Sequence, residues 1–332
     1  MAGKGDLLEL FQSLAQPQRG TVQGDLSGVR VPAAESLFVC KDSTGRPTFL
    51  LVGSVMLPPV RLENLEVRHR VRCNVVAGSQ SIQIASATLI CCQSNDRSLH
   101  EYFIQALGGV LTAFAAKEDP AKLGSLVESL SELFQAITSE PASTAQGLWA
   151  ELALIDGAAS PGILIDAWHR EVDDLYDFSL STERIEVKSS ADKTRCHHFR
   201  MEQVDNPPCV HALVASMLVD RAARGVSLGE LWDRCRIHVE VNPTLQIKVD
   251  AICFRSLGKN WQRWRETSFD YGRSMASLAF FDAASVPRPA TPIPAGVSDI
   301  RFVADLSALE KVDLTASRFR GPLMVALGAT KS

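Results

Sequence analysis

The segment Tyr176-Asp177-Phe178-Ser179-Leu180, followed closely by Ile185-Glu186-Val187-Lys188-Ser189-Ser190, is the most informative part of this chain about its fold class. The polar residues 181–183 between the two stretches favour a turn, so we predict a β-hairpin. Side chains alternate between the two faces of a strand, and Glu186 and Lys188 therefore lie on the same face. The hairpin would bring Asp177 beside Glu186. Two carboxylates and one ammonium group are thus predicted to converge.

Carboxylates next to a lysine suit metal-dependent hydrolysis of a phosphodiester. Mg²⁺ prefers oxygen ligands and keeps several waters, so two or three protein carboxylates are enough to hold it. The bound ion stabilises developing negative charge and lowers the pKa of an attacking water. Asp177 and Glu186 would be ligands, and Lys188 would orient the water or offset charge in the transition state.

An acid-x-lysine triplet alone is weak support, because at ordinary composition it occurs by chance about once in a chain of this size. A solvated strand with an ion pair on one face would have the same sequence. The context adds information. The segment from Gly147 to Ile155 is predicted to be an apolar helix that carries Glu151. An unpaired buried carboxylate is costly, so Glu151 requires a cation, a proton or a lysine.

Five segments, in this order along the chain, resemble one protein family. They are Gly147 to Ile155 with Glu151, Trp168, Asp177-Phe178, Ile185 to Ser190, and Arg195 to Val204. The chain resembles the PD-(D/E)XK motif proteins, a bacterial, defence-associated branch of the restriction-endonuclease-like nuclease superfamily. The recognisable motifs lie within residues 145–205. One departure is that Tyr176 occupies the position of the nominal proline.

The resemblance implies an α/β (α+β) fold with the αβββαβ core of that superfamily and a mixed sheet. It makes Asp177, Glu186 and Glu151 metal ligands and Lys188 the catalytic lysine. It gives Gln203 a supporting role near the active site.

Two adjacent histidines, His197 and His198, follow the lysine strand. The resemblance implies a supporting role for both, as phosphate or water contacts. Direct catalysis by one of them as a general base near neutral pH is the alternative. His169 has no partner that its spacing identifies, and it is left out of the predicted site.

The function that the resemblance implies is that of a Mg²⁺-dependent DNA endonuclease, with Mn²⁺ as a substitute. It would be the nuclease subunit of a bacterial anti-phage or restriction-type system. The implied partners are a Z1-domain helicase-like ATPase, a MutL-like ATPase and another defence protein. The alternative is a catalytically silent nuclease-fold subunit that binds DNA or supports assembly. Cleavage of RNA or of free ends stays open, because the metal chemistry is the same for both polymers.

The best candidate for a nucleic-acid contact is the segment from Lys259 to Arg265. In it the cations Lys259, Arg263 and Arg265 alternate with Trp261 and Trp264. The alternative is that the two tryptophans are the buried face of a helix or turn. A net charge of −4 argues weakly against a protein that coats nucleic acid.

The chain is long enough for two domains at 332 residues and 46% hydrophobic composition. We predict residues 1–140 as a β-rich lobe with helices and residues 141–332 as the nuclease-like domain. No apolar run is long enough to span a membrane, and the start of the chain lacks a signal-peptide pattern. We therefore expect a cytoplasmic protein. The eight cysteines have no CxxC spacing, so neither zinc nor disulfides are expected.

Periodicity predicts the remaining elements. In the first lobe we expect a helix over 6–16, then an antiparallel meander, then two more helices. The predicted meander strands are 36–41, 48–52, 65–76 and 81–92, and the predicted helices are 99–116 and 121–137, the second following Asp119-Pro120. Beyond a break at Asn206-Pro207-Pro208, we expect helices over 210–223 and 228–235. Strands are expected over 236–241 and 245–254, and a proline-rich link over 286–294 leads into residues 300–305.

Overall fold

The chain forms two compact units in the computed structural model, Met1–Thr138 and Ser139–Ser332. The structure describes residues 4–17, 25–53, 55–78, 80–115, 122–141, 143–169, 174–205, 211–290, 293–314 and 321–328. Asp119-Pro120 and Asn206-Pro207-Pro208 lie outside these residues, so the predicted breaks at those positions remain predictions.

The first unit contains a six-stranded sheet in the order β1-β2-β3-β6-β5-β4. Its strands are β1 Asp25–Val31, β2 Ala34–Lys41, β3 Pro47–Val52, β4 Val60–Arg61, β5 Leu65–Ala77 and β6 Gln80–Cys92. β1 also pairs with β5 in parallel, which closes the sheet on itself. The predicted strands are confirmed, but the simple meander is wrong. β3 pairs with β6 rather than with a strand directly after it, because closure satisfies edges that a meander would leave open.

The interior of this closed sheet is apolar, as the alternation of side chains requires. Phe38, Cys40 and Leu50 pack there against Val75 and Leu89. Helices accompany the sheet: α1 Lys4–Ser13, α2 Arg97–Tyr102, which continues through a π-helical turn at Phe103–Leu107 into α3 Gly108–Ala115, and α4 Leu123–Thr138. The helices predicted over 99–116 and 121–137 agree with these bounds to within a few residues.

The second unit begins with two helices, continues through strands β7 to β10 and ends in a mostly helical region. Its elements are α5 Ala145–Gly157, α6 Pro161–Ala167, β7 Phe178–Leu180, β8 Glu183–Ser190, β9 Cys196–Arg200, α7 Met201–Val204, β10 His211–Leu218, β11 Arg221–Ser227, α8 Leu228–His238, α9 Pro243–Leu257, α10 Trp261–Arg265, β12 Ser268–Phe269, α11 Tyr271–Ser277, β13 Ala279–Asp282, β14 Arg301–Asp305 and α12 Pro322–Leu327.

A mixed four-stranded sheet in the order β13-β10-β8-β7 forms the centre of this unit. β7 and β8 form the predicted antiparallel hairpin, in which Phe178 lies opposite Ile185. β10 runs parallel to β8, and β13 runs antiparallel to β10. The predicted mixed α/β fold is confirmed, and α5-β7-β8-β9-α7-β10 follows the expected αβββαβ order with α6 inserted. The third strand differs from expectation, since β9 pairs with β14.

Two secondary-structure predictions in this unit are wrong. The helix predicted over 210–223 is replaced by β10 and the start of β11. β10 is a central strand whose residues from Ala212 to Met217 are buried, so its sequence is a continuous apolar run without the alternation of a half-exposed strand.

The strands predicted over 236–241 and 245–254 lie largely in α8 and α9. α9 is buried over most of its length, and its buried polar residues Gln246, Lys248 and Asp250 alternate with apolar ones, which imitates the period of a strand. The start of α9 is typical of a helix N-terminus, because Pro243 occupies the first helical turn and the Asn242 side chain accepts a hydrogen bond from the Leu245 amide.

The C-terminal helix α12 is held against the hairpin by a buried carboxylate. Glu183 is 3% exposed, and its Oε2 accepts a hydrogen bond of 2.8 Å from the backbone N–H of Leu323, in the first turn of the helix. A carboxylate is stabilised there by the unsatisfied N–H groups of a helix start. The backbone N–H of Ser160 also donates to the Ala326 carbonyl at 3.0 Å.

No helix within the described ranges is long and apolar enough to cross a membrane. The cysteines that the structure describes are free thiols: Cys40, Cys73, Cys91, Cys92, Cys196, Cys235 and Cys253.

Candidate metal and catalytic site

Glu186 and Lys188 occupy the same face of β8, as the strand period requires. The Nζ of Lys188 lies 2.6 Å from Oε1 of Glu186, which is 6% exposed. The same Nζ lies 5.3 Å from the centre of the Phe199 ring. A buried carboxylate is therefore held in contact with an ammonium group whose other side faces an aromatic ring.

Asp177 immediately precedes β7 and reaches across the hairpin. Its Oδ2 accepts a hydrogen bond of 2.6 Å from the backbone N–H of Val187. Burial, and then the nearby carboxylates of Glu186 and Glu151, raise the pKa of Asp177 well above its usual range. The Val187 N–H and Lys188 oppose this rise in pKa without cancelling it. The hairpin thus fixes a carboxylate in a position where ionisation is unfavourable.

Glu151 lies on α5, and its partner is an indole group. Trp168 Nε1 donates a hydrogen bond of 2.7 Å to Glu151 Oε2, and both residues are buried. The Trp168 ring stacks on Phe178, with 6.4 Å between the ring centres. Trp168, which follows α6 and stacks on Phe178 of the hairpin, therefore orients the Glu151 carboxylate.

His169 belongs to the site, which corrects its omission from the sequence-based prediction. Its Nε2 lies 3.4 Å from Oε2 of Glu151. One donor atom each from Glu151, His169 and Asp177 lies within 4.8 Å of the others. The only sequence signal for His169 as a site residue is its position directly after Trp168, which is weak. Residue spacing does not show which segment pairs with Asp177.

The donors of this cluster fit a divalent cation. Burial raises the pKa of Glu186, with Lys188 and a hydrogen bond from Gln203 acting against the rise and Glu151 adding to it. Neighbouring carboxylates that disfavour one another's ionisation are stabilised by an opposite charge placed among them. Carboxylate oxygens and an imidazole nitrogen are ordinary ligands of such ions. Glu151, His169 and Asp177 are the residues of this group that could hold the ion. Glu186 lies outside the group, but its carboxylate is near enough to raise the pKa of Asp177.

Gln203, on α7, supports the cluster. Gln203 is 7% exposed and hydrogen-bonds Glu186. Its Nε2 donates to the Leu175 carbonyl at 3.0 Å, and its Oε1 accepts from the Arg200 N–H at 3.0 Å. Gln203 therefore connects the segment before Asp177 to the carboxylate of Glu186.

The two histidines of β9 differ in their surroundings. His197 is buried, and its Nε2 lies 2.8 Å from Oγ of Ser216. Burial, followed by the positive charges of Lys188 and Arg195, lowers the pKa of His197 to about 4. A histidine with this pKa is neutral but weakly basic at pH 7, which fits a supporting role better than general base catalysis. His198 is exposed on the same strand.

Two cations of the segment from Lys259 to Arg265 have acidic partners. Lys259 Nζ lies 2.7 Å from Glu140 Oε1, and an Arg265 nitrogen lies 2.7 Å from Asp233 Oδ2. Arg263 is exposed. Trp261 is buried, in agreement with the alternative that the tryptophans belong to the core, while Trp264 is half-buried. Contact of Lys259, Arg263 and Arg265 with nucleic acid remains a prediction.

The mixed sheet, with paired carboxylates and a lysine on its hairpin, defines a nuclease-like α/β protein of the PD-(D/E)XK type. Comparison with family models agrees, since residues 7–307 match the family described as "Putative PD-(D/E)XK family member, (DUF4420)". The chain belongs to this family. No curated protein and no solved structure matches the chain.

Proposed function

We propose that this protein is a metal-dependent nuclease that hydrolyses phosphodiester bonds of DNA by endonucleolytic cleavage. The observation that carries the proposal is the 2.6 Å contact between Lys188 and Glu186, on the strand that also binds the carboxylate of Asp177. Family membership supports the same reading. Mg²⁺ is the proposed cofactor, because most of the available ligands are carboxylate oxygens.

Each residue of the site has a distinct role in this proposal. Asp177, Glu186 and Glu151 hold the cation. A bound divalent cation would stabilise charge on the phosphate and lower the pKa of water. Lys188, held by Glu186, donates a hydrogen bond to the attacking water or to a phosphate oxygen as negative charge develops. Gln203 keeps Glu186 in place.

The raised pKa of Asp177 and Glu186 has a consequence for ion binding. A carboxyl group must lose its proton before it can act as a ligand, so ion binding releases protons and strengthens as pH rises. The hydrogen bond from the Val187 N–H lowers the pKa of Asp177 and so favours the ionised, ligand-competent form.

Cleavage of supercoiled plasmid DNA in Mg²⁺ or Mn²⁺ tests the proposal. We expect cleavage by the wild-type protein, its abolition by EDTA, and its loss in Lys188→Ala and Asp177→Asn. Lys311→Ala, which removes an exposed lysine in the same unit, is the matched control and should cleave normally. Absence of divalent-dependent cleavage, even with the proteins encoded beside it, would refute the proposal. Salt-sensitive DNA binding that persists in both variants would then indicate a catalytically silent subunit.

We further propose that the enzyme is the cutting subunit of a bacterial anti-phage system. Support comes from the resemblance of its motifs to defence-associated proteins, which also suggests a Z1-domain ATPase, a MutL-like ATPase and another defence protein as partners. Phage plating on cells that carry the locus with wild-type protein or with Lys188→Ala tests this role. Equal plating on both strains would contradict it.

A further inference from the structure

The backbone places His169 directly opposite Asp177. Trp168 and Phe178 form an isolated antiparallel bridge, and the N–H of His169 donates to the Asp177 carbonyl at 2.8 Å. Residues directly opposite each other in an antiparallel pair project from the same face, with Cβ atoms about 4.5–5.5 Å apart. Two donors of the cluster are thus positioned by main-chain pairing and do not depend on flexible side chains to meet.

Donor spacing fits direct ligation by the imidazole. Two ligands about 2.1 Å from one ion and at right angles to each other lie about 3.0 Å apart. His169 Nε2 and Glu151 Oε2 are separated by 3.4 Å. That separation is long for a charge-assisted hydrogen bond, which is usually about 2.7–2.9 Å. A small movement of either side chain would therefore give the spacing of neighbouring ligands.

The outer contacts also fit a metal site. The oxygen of Glu151 that faces His169 accepts the indole N–H of Trp168 at 2.7 Å. Hydrogen bonds of this kind orient ligating side chains and strengthen metal binding. Trp168 precedes His169 in the chain, so one short segment supplies both an imidazole and the donor that orients the neighbouring carboxylate.

We propose that His169 is a direct metal ligand through Nε2, and that it makes the site bind Mn²⁺ more tightly than Mg²⁺. This inference rests on the proposed function, because it concerns the same site. Imidazole nitrogen binds transition metals, Mn²⁺ being the weakest of them, whereas Mg²⁺ strongly prefers oxygen and gains less from an imidazole than Mn²⁺ does. Mg²⁺ remains able to occupy the carboxylates. The imidazole of His169, next to the carboxylates, therefore determines which metal ion the site prefers.

Binding of Mn²⁺ to the full-length protein, followed by electron paramagnetic resonance, tests ligation without relying on activity. We expect the wild-type spectrum to contain coupling to an imidazole ¹⁴N nucleus. His169→Ala should lose this coupling and bind Mn²⁺ roughly tenfold or more weakly. His169→Asp replaces nitrogen with oxygen, so the ratio of Mn²⁺ to Mg²⁺ affinity should fall. His211→Ala removes an exposed histidine in the same unit and should match the wild type.

Distinct outcomes separate this inference from the function on which it rests. If Asp177→Asn weakens Mn²⁺ binding while His169→Ala binds normally and no ¹⁴N coupling is seen, His169 is only a hydrogen-bonding neighbour of Glu151. The metal-dependent nuclease proposal would survive that result. If the wild-type protein binds neither Mn²⁺ nor Mg²⁺, both proposals are refuted.

Discussion

The hydroxyl group of Tyr176 donates to the backbone carbonyl of Gln203, with 3.2 Å between the two oxygen atoms. The carbonyl of Glu202 lies at the same distance. Tyr176 therefore ties the segment that carries Asp177 to α7, which carries Gln203. The residue that stands at the nominal proline position joins two parts of the site that are distant in sequence.

Replacing Tyr176 with phenylalanine should weaken this connection while keeping the ring in the core. Loss of a hydrogen bond between buried groups typically costs about 1 kcal/mol. We expect a lower midpoint of urea unfolding for the metal-free Tyr176→Phe protein and slower DNA cleavage. Mn²⁺ should still bind, because no ligand is removed. An unchanged unfolding midpoint would contradict the structural role of the hydroxyl.

Removing the ammonium group of Lys188 should have two separable effects. Lys188 lowers the pKa of Glu186, so in Lys188→Met that pKa rises further and Mn²⁺ binding moves to higher pH. Even where the ion is bound, cleavage should be roughly 10²–10³-fold slower, as expected for loss of a transition-state donor. Titration with Mn²⁺ between pH 5.5 and 8.5 and cleavage rates measure the two effects, with Lys311→Met as control. Wild-type cleavage rates in Lys188→Met would exclude a catalytic role.

Asp177→Asn should stabilise the metal-free protein. The folded state raises the pKa of Asp177, so ionisation is more costly in the folded than in the unfolded chain. Protein stability is consequently lost as pH rises from 3.8, the ordinary pKa of an aspartate, through the raised pKa of Asp177 in the folded protein. Asparagine avoids this loss and keeps an oxygen for the Val187 N–H. In EDTA at pH 8 we expect the free energy of unfolding to increase by about 1 kcal/mol, with a corresponding rise in the thermal midpoint. The increase should be smaller at pH 5.

The matched control for this variant is Asp156→Asn in the same unit. Asp156 accepts from Tyr271 at 2.9 Å and pairs with Arg234 and His238, so its substitution should destabilise the protein. Added Mn²⁺ should stabilise the wild-type protein more than Asp177→Asn, because binding favours the folded state. An Asp177→Asn variant that melts below the wild type in EDTA at pH 8 would show that the carboxylate is not destabilising.

His197 should remain neutral throughout the physiological range. Its pKa of about 4 predicts a ring carbon chemical shift in NMR spectra that is constant from pH 6 to 8 and changes only in acid. The pKa of His197 in the folded protein lies below the usual 6.5. The contribution of the neutral ring to protein stability is therefore complete above pH 6.5 and is lost as pH falls towards 4. Comparison with His197→Asn identifies the resonance. A titration midpoint between pH 6 and 8 would rule out the buried, neutral state.

Glu183 should control the attachment of α12. In Glu183→Ala the first turn of the helix loses its carboxylate acceptor, and we expect destabilisation of about 2 kcal/mol. Hydrogen exchange of residues 321–328 should become faster. Glu240→Ala, which removes an exposed acid, is the control. Unchanged exchange in that segment would show that apolar packing alone holds the helix.

The hairpin could be predicted because neighbouring residues specify both its strands and its turn. The alternation from Ile185 to Lys188 and the polar turn after Leu180 define two strands and their connection. β10 and α9 were misread for the opposite reason. β10 is buried on most sides and is mostly apolar, so its sequence does not distinguish a period of 2 from a period of 3.6. In α9 the polar residues Gln246, Lys248 and Asp250 alternate with apolar ones although all are buried, which is the pattern of a strand.

That Glu186 and Lys188 share a face, with Asp177 beside them, could be predicted from residue order, because strand geometry fixes these relations within one hairpin. The position of His169 opposite Asp177 and the hydrogen bond from Trp168 to Glu151 became evident from the folded protein alone. These contacts depend on which distant segments pair, and residue spacing along a chain does not specify pairing across an intervening loop. The physical reason is that side-chain period is a local property, whereas strand partnership is selected by the packing of the whole unit.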